Sequence, residues 1–325
     1  MKDNMPNSKL QRSSAPFRAG GKHLIVILGP TAVGKTAVAI ELAKKLNTEI
    51  ISADSRQFFK EMSIGTAKPN KEELSAAKHH FINSLSVTDE YNVGMFEKDA
   101  LQVLDTIFKK KDIALLAGGS GLYINAVCDG FDDVPKADKE IRDNLNAMFK
   151  SEGISYLQKT LEKLDPEHFK NMDINNPHRL TRAIEVCMAT GKPYSELRKG
   201  EKKKRKFTSI KIGLNMDREK LYEKINTRVD QMMKEGLLEE VQALAPFRVG
   251  GNLNSLQTVG YKELFDHLDG KTNLNRAIEL IKQNTRNFAK RQMTWFRKDE
   301  EIKWFEPKDL EKMMGFIAEK QSSEK

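Results

Sequence analysis

Residues 23–40 constrain the fold more than any other part of the sequence. They read HLIVILGPTAVGKTAVAI and contain the pattern G-x-x-x-x-G-K-[ST], with Gly29, Gly34, Lys35 and Thr36 at its defined positions. A β-branched aliphatic run precedes the glycines and apolar residues at helical spacing follow them, which predicts a strand, a phosphate-binding loop and a helix. Backbone N–H groups of such a loop surround phosphate oxygens, the lysine adds positive charge, and the Thr36 hydroxyl is placed to bind Mg²⁺.

Further along the chain, apolar strand runs alternate with helical patterns. Continuous aliphatic runs are typical of strands that are buried on both faces of a parallel sheet. Helical connections between such strands favour the parallel arrangement. The sequence therefore predicts an α/β fold with a P-loop NTPase-like core and parallel sheet, a mostly helical insertion domain and a helical C-terminal part. The predicted strands lie at 24–28, 48–53, 112–121 and 209–216.

The strand pattern is interrupted once, and the interruption defines the expected domains. Residues 132–207 carry amphipathic helical patterns without a strand run, so we expect a helical insertion domain there. Residues 22–131 and 208–325 are expected to form the core together. Residues 1–21 are rich in Ser, Pro and Gly, which favours a disordered leader. The basic run at 198–207 is expected to be an exposed, mobile loop.

Composition argues against some classes of protein. Hydrophobic residues make up 39% of the chain, charged residues 31%, and no apolar run approaches the roughly 18 residues that span a bilayer. Only two cysteines, Cys128 and Cys187, are present, which argues against a disulfide framework and for the reducing cytoplasm. The net charge of +9 suits a polyanionic partner, but ordinary solubility also explains it. His79 and His80 lack a ligand-spaced cluster around them and are expected to be structural.

The predicted strand at 112–121 lacks the metal-binding carboxylate that usually accompanies a phosphate-binding loop. An NTPase normally has a strand that ends in a metal-binding carboxylate, but the run at 112–121 ends in Gly118, Gly119 and Ser120. Asp54 does follow a strand run, and ligands of open parallel sheets gather at the carboxyl ends of the strands. We therefore expect Asp54 to face the phosphates as a general base, with the N-cap of a following turn as its alternative role. Phosphoryl transfer to a small acceptor and displacement of diphosphate from carbon both remain open.

Basic and aromatic side chains are interleaved near the C-terminus. Residues 285–298 combine five Lys and Arg side chains with Phe288, Trp295 and Phe296. This composition suits a single-stranded RNA surface and equally an amphipathic helix with aromatic residues in the core. Residues 178–182 present two arginines on one helical face, with the same two interpretations.

Eight segments of the chain recur in the same order in one known family. They are GPTAVGKT, ISADSRQ, MSIGTAKP, LLAGGSGLY, HRLTRAIEV, DREKLYEKI, TVGYKE and TRNFAKRQMTWFR. In this order they resemble the tRNA dimethylallyltransferase family, also called tRNA isopentenyltransferases, from about Leu24 to Phe305. The family moves a dimethylallyl group from its diphosphate to the exocyclic amine of an adenosine beside the tRNA anticodon, and the resemblance implies this activity.

The resemblance implies roles around the donor. Asp54 matches the family's general base, which accepts the proton lost by the adenine amine. Lys35 and Arg218 match cations on the diphosphate, Thr36 matches the ligand of Mg²⁺, and Ser120 stands near the reacting centre. The residues expected to bind the donor diphosphate are Gly29, Pro30, Thr31, Ala32, Val33, Gly34, Lys35, Thr36 and Arg218.

The resemblance also implies a set of residues beside the tRNA. They come from the DSRQ, HRLTR and TVGYKE motifs, from the basic aromatic segment, from Ser120, and from one position in the expected insertion. The expected tRNA-contacting residues are Asp54, Ser55, Arg56, Gln57, Ser120, Arg142, His178, Arg179, Leu180, Thr181, Arg182, Gly260, Tyr261, Lys262 and Arg286.

Three residues depart from the family pattern. Ser120 replaces the threonine of the G-G-T motif, and Phe59 and Phe288 replace tyrosines. Ser120 keeps the hydroxyl and loses a methyl group, whereas the two phenylalanines lose any contact that a tyrosine hydroxyl makes.

The expected protein is a magnesium-dependent tRNA prenyltransferase. Its expected partners are the anticodon stem-loop of tRNA and dimethylallyl diphosphate, without membrane association, and it is expected to be cytoplasmic and monomeric. The alternative enzyme is a P-loop kinase of a small metabolite, in which Asp54 activates an acceptor hydroxyl. A third hypothesis is a non-catalytic RNA-binding module with a vestigial phosphate-binding loop.

Overall fold

The computed structural model describes residues 21–132, 134–135, 138–248 and 253–323. The expected leader, residues 1–21, lies outside the described residues except for its last position. The strands are β1 His23–Leu28, β2 Ile50–Ser52, β3 His79–His80, β4 Ile113–Gly118, β5 Thr208–Leu214 and β6 Lys303–Phe305.

These strands form one parallel sheet in the order β3-β2-β4-β1-β5-β6. β1 lies between β4 and β5, and its last residue, Leu28, pairs with Gly118 on one side and with Gly213 on the other. Every residue of β1 is buried, as in a strand that is covered on both faces. The predicted α/β fold with a parallel sheet is confirmed.

Sequence analysis missed the two edge strands. β3 has two residues and β6 has three, so neither is long enough to produce a hydrophobic pattern of its own. Each is a strand because it pairs with a longer neighbour, β3 with β2 and β6 with β5.

Helices, turns and loops connect the strands. No helix among the described residues is long and apolar enough to cross a lipid bilayer. Short 3₁₀ turns occur at Ala245–Arg248 and Asn254–Leu256. The helices are α1 Lys35–Lys45, α2 Lys71–Ala76, α3 Val93–Phe108, α4 Gly121–Asp129, α5 Lys139–Glu152, α6 Ile154–Leu164, α7 Pro166–Asn171, α8 Pro177–Thr190, α9 Tyr194–Leu197, α10 Arg218–Lys234, α11 Leu237–Ala243, α12 Tyr261–Leu268, α13 Leu274–Phe296 and α14 Leu310–Ser322.

The first of two compact units contains the sheet. It comprises the described residues within 1–87, 105–119 and 207–325. Its larger apolar core packs sheet residues such as Ile25 and Ile212 against α1, α10 and α14. Burial of each such aliphatic side chain contributes about 1.5–3 kcal/mol, which holds the strand ends in fixed positions for the site.

A second apolar cluster of this unit joins the C-terminal helices. Tyr261 and Leu264 of α12 pack with Val241 of α11 and Ile281 of α13, and all four are buried. Phe59, from the segment after β2, belongs to the same cluster. The C-terminal helices are therefore fixed to the loop that follows β2.

The second unit consists of helices and loops, with no strand among its described residues. It comprises the described residues within 88–104 and 120–206. The insertion domain expected over 132–207 lies within this unit apart from its last residue, and the unit also takes in residues 88–104 and 120–131. Its apolar core is formed by Leu145, Leu157, Leu161, Leu180, Ala183 and Ile184.

The basic run at 198–207 is only partly an exposed loop. The backbone N–H of Lys203 donates to the carbonyl of Asp129 at 2.7 Å, and the guanidinium of Arg205 binds Glu97 at 2.7 Å. The Arg205 side chain is 11% exposed. The expectation of an exposed segment is therefore wrong at Arg205, because a carboxylate of the same unit provides a partner for its charge.

Candidate active site

The phosphate-binding loop joins β1 to α1. Gly29 has a φ of 147°, and a Cβ atom there would lie 2.5 Å from the carbonyl oxygen of Leu214 in β5. Ala32 and Gly34 have φ values of 65° and 105°, so the loop contains two left-handed residues before the helix starts. No side chain in the described part of the chain caps the N-terminus of α1. The N–H groups of its first turn are therefore suited to bind an anion.

Lys35 opens α1 and turns back over the loop. Its Nζ atom donates to the carbonyl of Pro30 at 2.8 Å. Burial lowers the pKa of Lys35 to about 8, the carboxylate of Asp54 opposes this lowering, and the guanidinium of Arg228 adds to it. Lys35 thus lies within electrostatic reach of one carboxylate and one further cation.

A cleft of about 380 Å³, including space open to solvent, lies beside the loop. The loop residues Lys35 and Thr36 and the candidate base Asp54 line this one cleft, as the resemblance implied for neighbours in an active site. Its lining residues are Lys35, Thr36, Ala39, Ile50, Ser52, Asp54, Gln57, Pro69, His79, Ala117 and Gly118.

Asp54 makes a turn contact and also lines the cleft, so its general-base role stays a prediction. One carboxylate oxygen accepts the backbone N–H of Arg56 at 3.0 Å, which orders the turn after β2. The same carboxylate lines the cleft and influences Lys35 electrostatically. The turn contact orients the carboxylate and does not remove it from the cleft.

The two glycines at the end of β4 leave no room for a side chain such as a carboxylate. A Cβ atom on Gly118 would overlap the carbonyl group of Ala53, and one on Gly119 would overlap the side-chain amide of Gln292. Lys35 Nζ would lie 3.5 Å from that second Cβ atom. Any side chain at 118 or 119 would therefore displace the groups that surround the cleft.

Two arginines of α10 differ in their relation to the loop. α10 follows β5, the sheet neighbour of β1, so its N-terminus lies at the carboxyl edge of the strands. Arg218, the predicted diphosphate ligand, is exposed, and its guanidinium lies 5.2 Å from the ring centroid of Tyr222. Neither arginine lines the cleft, but the charge of Arg228 lowers the pKa of Lys35.

Sequence analysis missed Arg228. Its signal was a cation on the apolar face of an amphipathic helix, between the buried residues Ile225 and Val229. Burial lowers the pKa of Arg228, and Glu73 opposes that effect. A half-buried cation of this kind is typical of a site for an anionic ligand.

The segment after β2 is held by Gln57. The Gln57 amide donates to the carbonyl groups of residues 66–67 at 3.3 and 3.1 Å and accepts from the Ser52 hydroxyl at 3.2 Å. Ser55 and Arg56 are half-buried beside it. Gln57 lines the cleft and also holds residues 66–67, while the expected tRNA contacts of this motif stay a prediction.

The expected tRNA-contacting residues of the TVGYKE motif include both buried and exposed residues. Tyr261 is fully buried, and its hydroxyl donates to Glu240 at 2.6 Å. Its side chain therefore belongs to the core and offers no surface for RNA. Gly260 donates its N–H to Glu263 at 2.8 Å as α12 begins, and Lys262 is exposed. Among these three residues, only Lys262 has an exposed side chain that could contact RNA.

The basic aromatic segment forms the C-terminal half of α13. The guanidinium of Arg286 donates to Asn226 in α10 at 2.6 Å. Phe288 and Trp295 are 39% and 41% exposed, whereas Phe296 is buried. The helix therefore combines the two interpretations that its sequence left open, with one aromatic ring in the core and two at the surface.

The three departures from the family pattern occupy different environments. Phe59 is 5% exposed within the second apolar cluster, where a ring without a hydroxyl packs without an unpaired polar atom. Phe288 is at the surface, with the guanidinium of Arg291 5.8 Å from its ring centroid. Ser120 is half-buried immediately before α4 in the second unit.

Arg142, an expected tRNA contact in the second unit, binds a buried carboxylate. Its guanidinium forms two hydrogen bonds with Glu185, one from Nη2 at 2.6 Å, and the hydrogen bonds raise the pKa of Arg142. Arg182 adds a second positive charge 3.8 Å from Glu185, and it donates to the carbonyl of Pro135 at 3.1 Å. Glu185 is fully buried, so both arginines compensate its charge.

The other HRLTR residues divide in the same way as the TVGYKE residues. Leu180 is fully buried in the core of the second unit, so its side chain offers no RNA contact. His178 and Arg179 are exposed and Thr181 is half-buried at the start of α8. Exposure thus leaves His178 and Arg179 as the polar side chains of this motif that face solvent.

The two histidines form β3. His79 lines the cleft, and the ring of His80 hydrogen-bonds Glu49 at 2.8 Å. Burial lowers the pKa of His79. The described residues contain no group of three His, Cys, Asp or Glu side chains that could hold a metal ion.

Comparison with known proteins identifies the family. A sequence profile described as IPP transferase matches residues 57–299, which is most of the chain. The chain belongs to the IPP transferase family. The profile covers the segments from Gln57 to the end of α13, and the phosphate-binding loop precedes it.

Relatives within the IPP transferase family are similar over nearly their whole length. A tRNA dimethylallyltransferase of Christiangramia forsetii is 58% identical over 284 residues, 87% of this chain and 93% of the relative. One of Cytophaga hutchinsonii is 48% identical over 299 residues, 92% and 97% of the two chains. The predicted family resemblance is confirmed.

Solved structures of IPP transferases share the fold. The tRNA isopentenylpyrophosphate transferase of Bacillus halodurans superimposes with a TM-score of 0.69 at 38% identity, covering 93% of this chain and 98% of that one. A eukaryotic dimethylallyltransferase acting on tRNA superimposes with a TM-score of 0.76 at 28% identity, covering 92% and 77%.

Proposed function

We propose that this protein transfers the dimethylallyl group of dimethylallyl diphosphate to the exocyclic amine of the adenosine 3′ to a tRNA anticodon, releasing diphosphate. The observation that carries the proposal is the cleft in which Lys35 and Thr36 of the phosphate-binding loop face Asp54. The names of the relatives support the transferred group and its acceptor. The cleft supplies what such a transfer needs, namely cations for a leaving diphosphate and a carboxylate for a proton.

The phosphate-binding loop would bind and stabilise the leaving group. Breaking the carbon–oxygen bond sends its electrons to the diphosphate, whose negative charge therefore increases. Lys35 and the uncapped N–H groups at the start of α1 lie where they stabilise that charge. Removal of one preorganised donor of this kind typically costs about 3–4 kcal/mol of transition-state stabilisation. Arg228 adds positive charge from α10.

Asp54 would accept the proton of the attacking amine. The nitrogen lone pair forms the new bond to carbon as the bond to the diphosphate oxygen breaks, and the nitrogen then carries a proton to be removed. The Asp54 carboxylate is oriented by the Arg56 N–H and faces the cleft. General base catalysis by a positioned carboxylate contributes about 10²–10⁴-fold in rate.

The cleft also suits the magnesium ion that we propose as a cofactor. The Thr36 hydroxyl that lines the cleft is an oxygen donor of the type that Mg²⁺ prefers, and the Asp54 carboxylate adds negative charge to the same cleft. Thr36 would hold the ion together with oxygens of the diphosphate. When bound, the ion would supply further positive charge for the leaving group.

The RNA would contact exposed basic residues of both units. Those with exposed side chains among the expected residues are Arg142, His178, Arg179 and Lys262, and Arg286 is half-buried in α13. The target adenine must leave its stack to reach the cleft, at a cost of a few kcal/mol. Phosphate contacts by these cations would offset that cost. We further propose a cytoplasmic monomer, which light scattering tests as a single species of 37.0 kDa.

The test of the function is transfer of labelled dimethylallyl from its diphosphate to unmodified tRNA in the presence of Mg²⁺. We expect label in the tRNA at the adenosine 3′ to the anticodon, located by nuclease digestion and mass spectrometry. A parallel reaction with labelled ATP and small acceptors tests the kinase alternative. Absence of prenylated adenosine, with or without phosphorylated product, would remove the proposal.

Asp54→Asn tests the role of the base. We expect kcat to fall by about 10²–10⁴-fold, because the amide cannot take the proton. The dissociation constant for tRNA should change by less than about 3-fold, since one uncharged oxygen remains for the turn contact. Asp105→Asn, at an exposed site of α3, is the matched control. Near-normal turnover of Asp54→Asn would exclude Asp54 as the base.

A further inference from the structure

One buried side chain joins two walls of the donor site. Gln292, on α13, is 7% exposed. Its Oε1 atom accepts the backbone N–H of Thr31 in the phosphate-binding loop at 2.8 Å, and its Nε2 atom donates to the carbonyl of Gly119 at 2.9 Å. Nothing in the local sequence of either partner shows this contact, because Gln292 is 261 residues from Thr31 and 173 from Gly119.

The two hydrogen bonds of Gln292 form a bridge between Thr31 and Gly119, and this bridge needs a carboxamide. One partner is a donor and the other is an acceptor, and an amide has one group of each kind at the end of a single side chain. A carboxylate has two acceptors, and a thioether of the same length cannot replace either strong hydrogen bond. Because the site is buried, a group that loses its partner here is also without water.

The bridge lies directly beside the groups that bind the donor. Thr31 is a residue of the loop, and Gly119 follows Gly118, which lines the cleft. A Cβ atom on Gly119 would approach both the Gln292 amide and, at 3.5 Å, the Nζ atom of Lys35. Gln292 therefore occupies the space between the end of β4 and the loop, next to the cation.

We propose that Gln292 is a positioning residue of the donor site, which keeps the phosphate-binding loop and the end of β4 at the spacing that receives the diphosphate. The inference rests on the proposed function for the identity of the donor and names a residue that acts on it through the loop. Without the bridge, the first residues of the loop lose their attachment to α13. The N–H groups of the loop then bind the diphosphate less well, while the tRNA surface is unchanged.

Gln292→Met tests the bridge, because it keeps the length of the side chain and removes both hydrogen bonds. We expect KM for dimethylallyl diphosphate to rise about 10- to 100-fold, the range expected when a binding group is misplaced by a fraction of an ångström to 1 Å. The dissociation constant for tRNA should stay within about 2-fold, since no RNA contact changes. Gln283→Met, at an exposed site of the same helix, is the control and should leave both constants unchanged.

Gly119→Ala provides a second route to the same effect if Gln292→Met folds poorly. The new methyl group would push the Gln292 amide away from the Gly119 carbonyl. If both substitutions act by breaking one bridge, the double variant should raise the donor KM no more than the stronger single variant does. Multiplication of the two effects, or an unchanged donor KM in folded Gln292→Met, would overturn the inference.

Calorimetry with inorganic diphosphate and Mg²⁺ separates this inference from the proposed function. Wild-type protein that binds diphosphate but prenylates no tRNA would contradict the function, and weaker binding by Gln292→Met in the same experiment would still support the bridge. Wild-type protein that prenylates tRNA, with equal diphosphate binding by wild type and Gln292→Met, would contradict the bridge alone.

Discussion

At the scale of single residues, the proposed donor site has two candidate arginines on α10 that could provide charge to a diphosphate. Arg218 was expected from its motif, but it is exposed and packs on Tyr222. Arg228 is half-buried and acts on Lys35 electrostatically. A charge in a partly desolvated site interacts more strongly with an anion than an exposed charge does, because water and salt screen the exposed one.

The two arginines can be separated by substitution. We expect Arg228→Ala to lower kcat/KM for dimethylallyl diphosphate by about 10²–10³-fold, the usual loss for one preorganised group at a leaving oxyanion. Arg218→Ala should lower it less than Arg228→Ala does. Steady-state kinetics with saturating tRNA measures both, and Arg228→Lys controls for charge alone. A larger loss of kcat/KM in Arg218→Ala would show that the exposed Arg218 contributes more to the diphosphate than Arg228 does.

Lys35 makes stability depend on pH in a defined direction. Burial lowers its pKa to about 8 in the folded protein, against 10.5 for the ordinary side chain. Between these values the unfolded chain binds more protons, so wild-type stability rises with pH through this window. Below about pH 8 the lysine is protonated in both states and the full cost of its buried charge is present.

Lys35→Met should therefore increase the free energy of unfolding at pH 7.5, and this advantage over wild type should shrink as pH rises towards 10.5. Urea unfolding at pH 7.5 and pH 10 measures the difference in free energy of unfolding between Lys35→Met and wild type. Other titrating groups are the same in both proteins, so their contributions cancel in this difference. Lys109→Met, at an exposed site, should show no such trend. An advantage that grows with pH would contradict a lowered pKa at Lys35.

At the scale of elements, α11 and α12 hold the loop after β2 through a single carboxylate. Glu240 of α11 accepts the backbone N–H groups of Ser63, Ile64 and Gly65 at 2.8, 2.8 and 3.1 Å. The Tyr261 hydroxyl donates to the same carboxylate, and a Cβ atom on Gly65 would overlap the tyrosine ring. Burial and the Glu240 charge raise the pKa of Tyr261, so its hydroxyl remains a donor.

Tyr261→Phe tests this set of hydrogen bonds to Glu240. The substitution removes the hydroxyl but leaves the ring and three N–H donors to Glu240, so we expect destabilisation of about 1.5–3 kcal/mol. Glu240→Gln should cost more, because it weakens all four hydrogen bonds, and Glu239→Gln, an exposed neighbour, should be near neutral. Urea unfolding measures all three. A neutral Tyr261→Phe would argue that the buried ring packs without help from its hydroxyl.

At the scale of the whole molecule, the excess of positive charge has a measurable consequence. The chain carries 55 basic and 46 acidic residues. If the exposed cations of α13 contact tRNA phosphates, each contact releases counterions and steepens the dependence of binding on salt. The sheet places the opposite edge, near Lys109 at the amino end of β4, away from the cleft.

Salt titration of tRNA binding therefore tests the RNA surface. Lys290→Gln and Arg291→Gln should each reduce the slope of log K against log[salt] by about 0.7–0.9, the value for one lost phosphate contact. Lys109→Gln removes the same charge from the other edge of the sheet and should leave the slope within error. Equal effects of all three substitutions would mean that net charge, not a defined surface, attracts the RNA.

Local sequence was sufficient to predict the structural features that depend on residues close together in the chain. The loop from Gly29 to Thr36, the strand before it and the helix after it follow from glycine conformation, aliphatic content and helical spacing within about 20 residues. Asp54 was found because a carboxylate at the end of a predicted strand must lie at the ligand-binding edge of a parallel sheet. The short strands β3 and β6 were missed because pairing alone makes them strands.

The rest depended on which distant residues meet, and only the tertiary structure decided that. The sequence by itself determined the α/β fold, the phosphate-binding loop and the family. Packing decided that Tyr261 and Leu180 belong to cores, that Arg228 is half-buried and Arg218 exposed, and that Gln292 bridges Thr31 and Gly119. Such contacts join residues far apart in the chain, so they depend on how every element between them packs rather than on any local pattern.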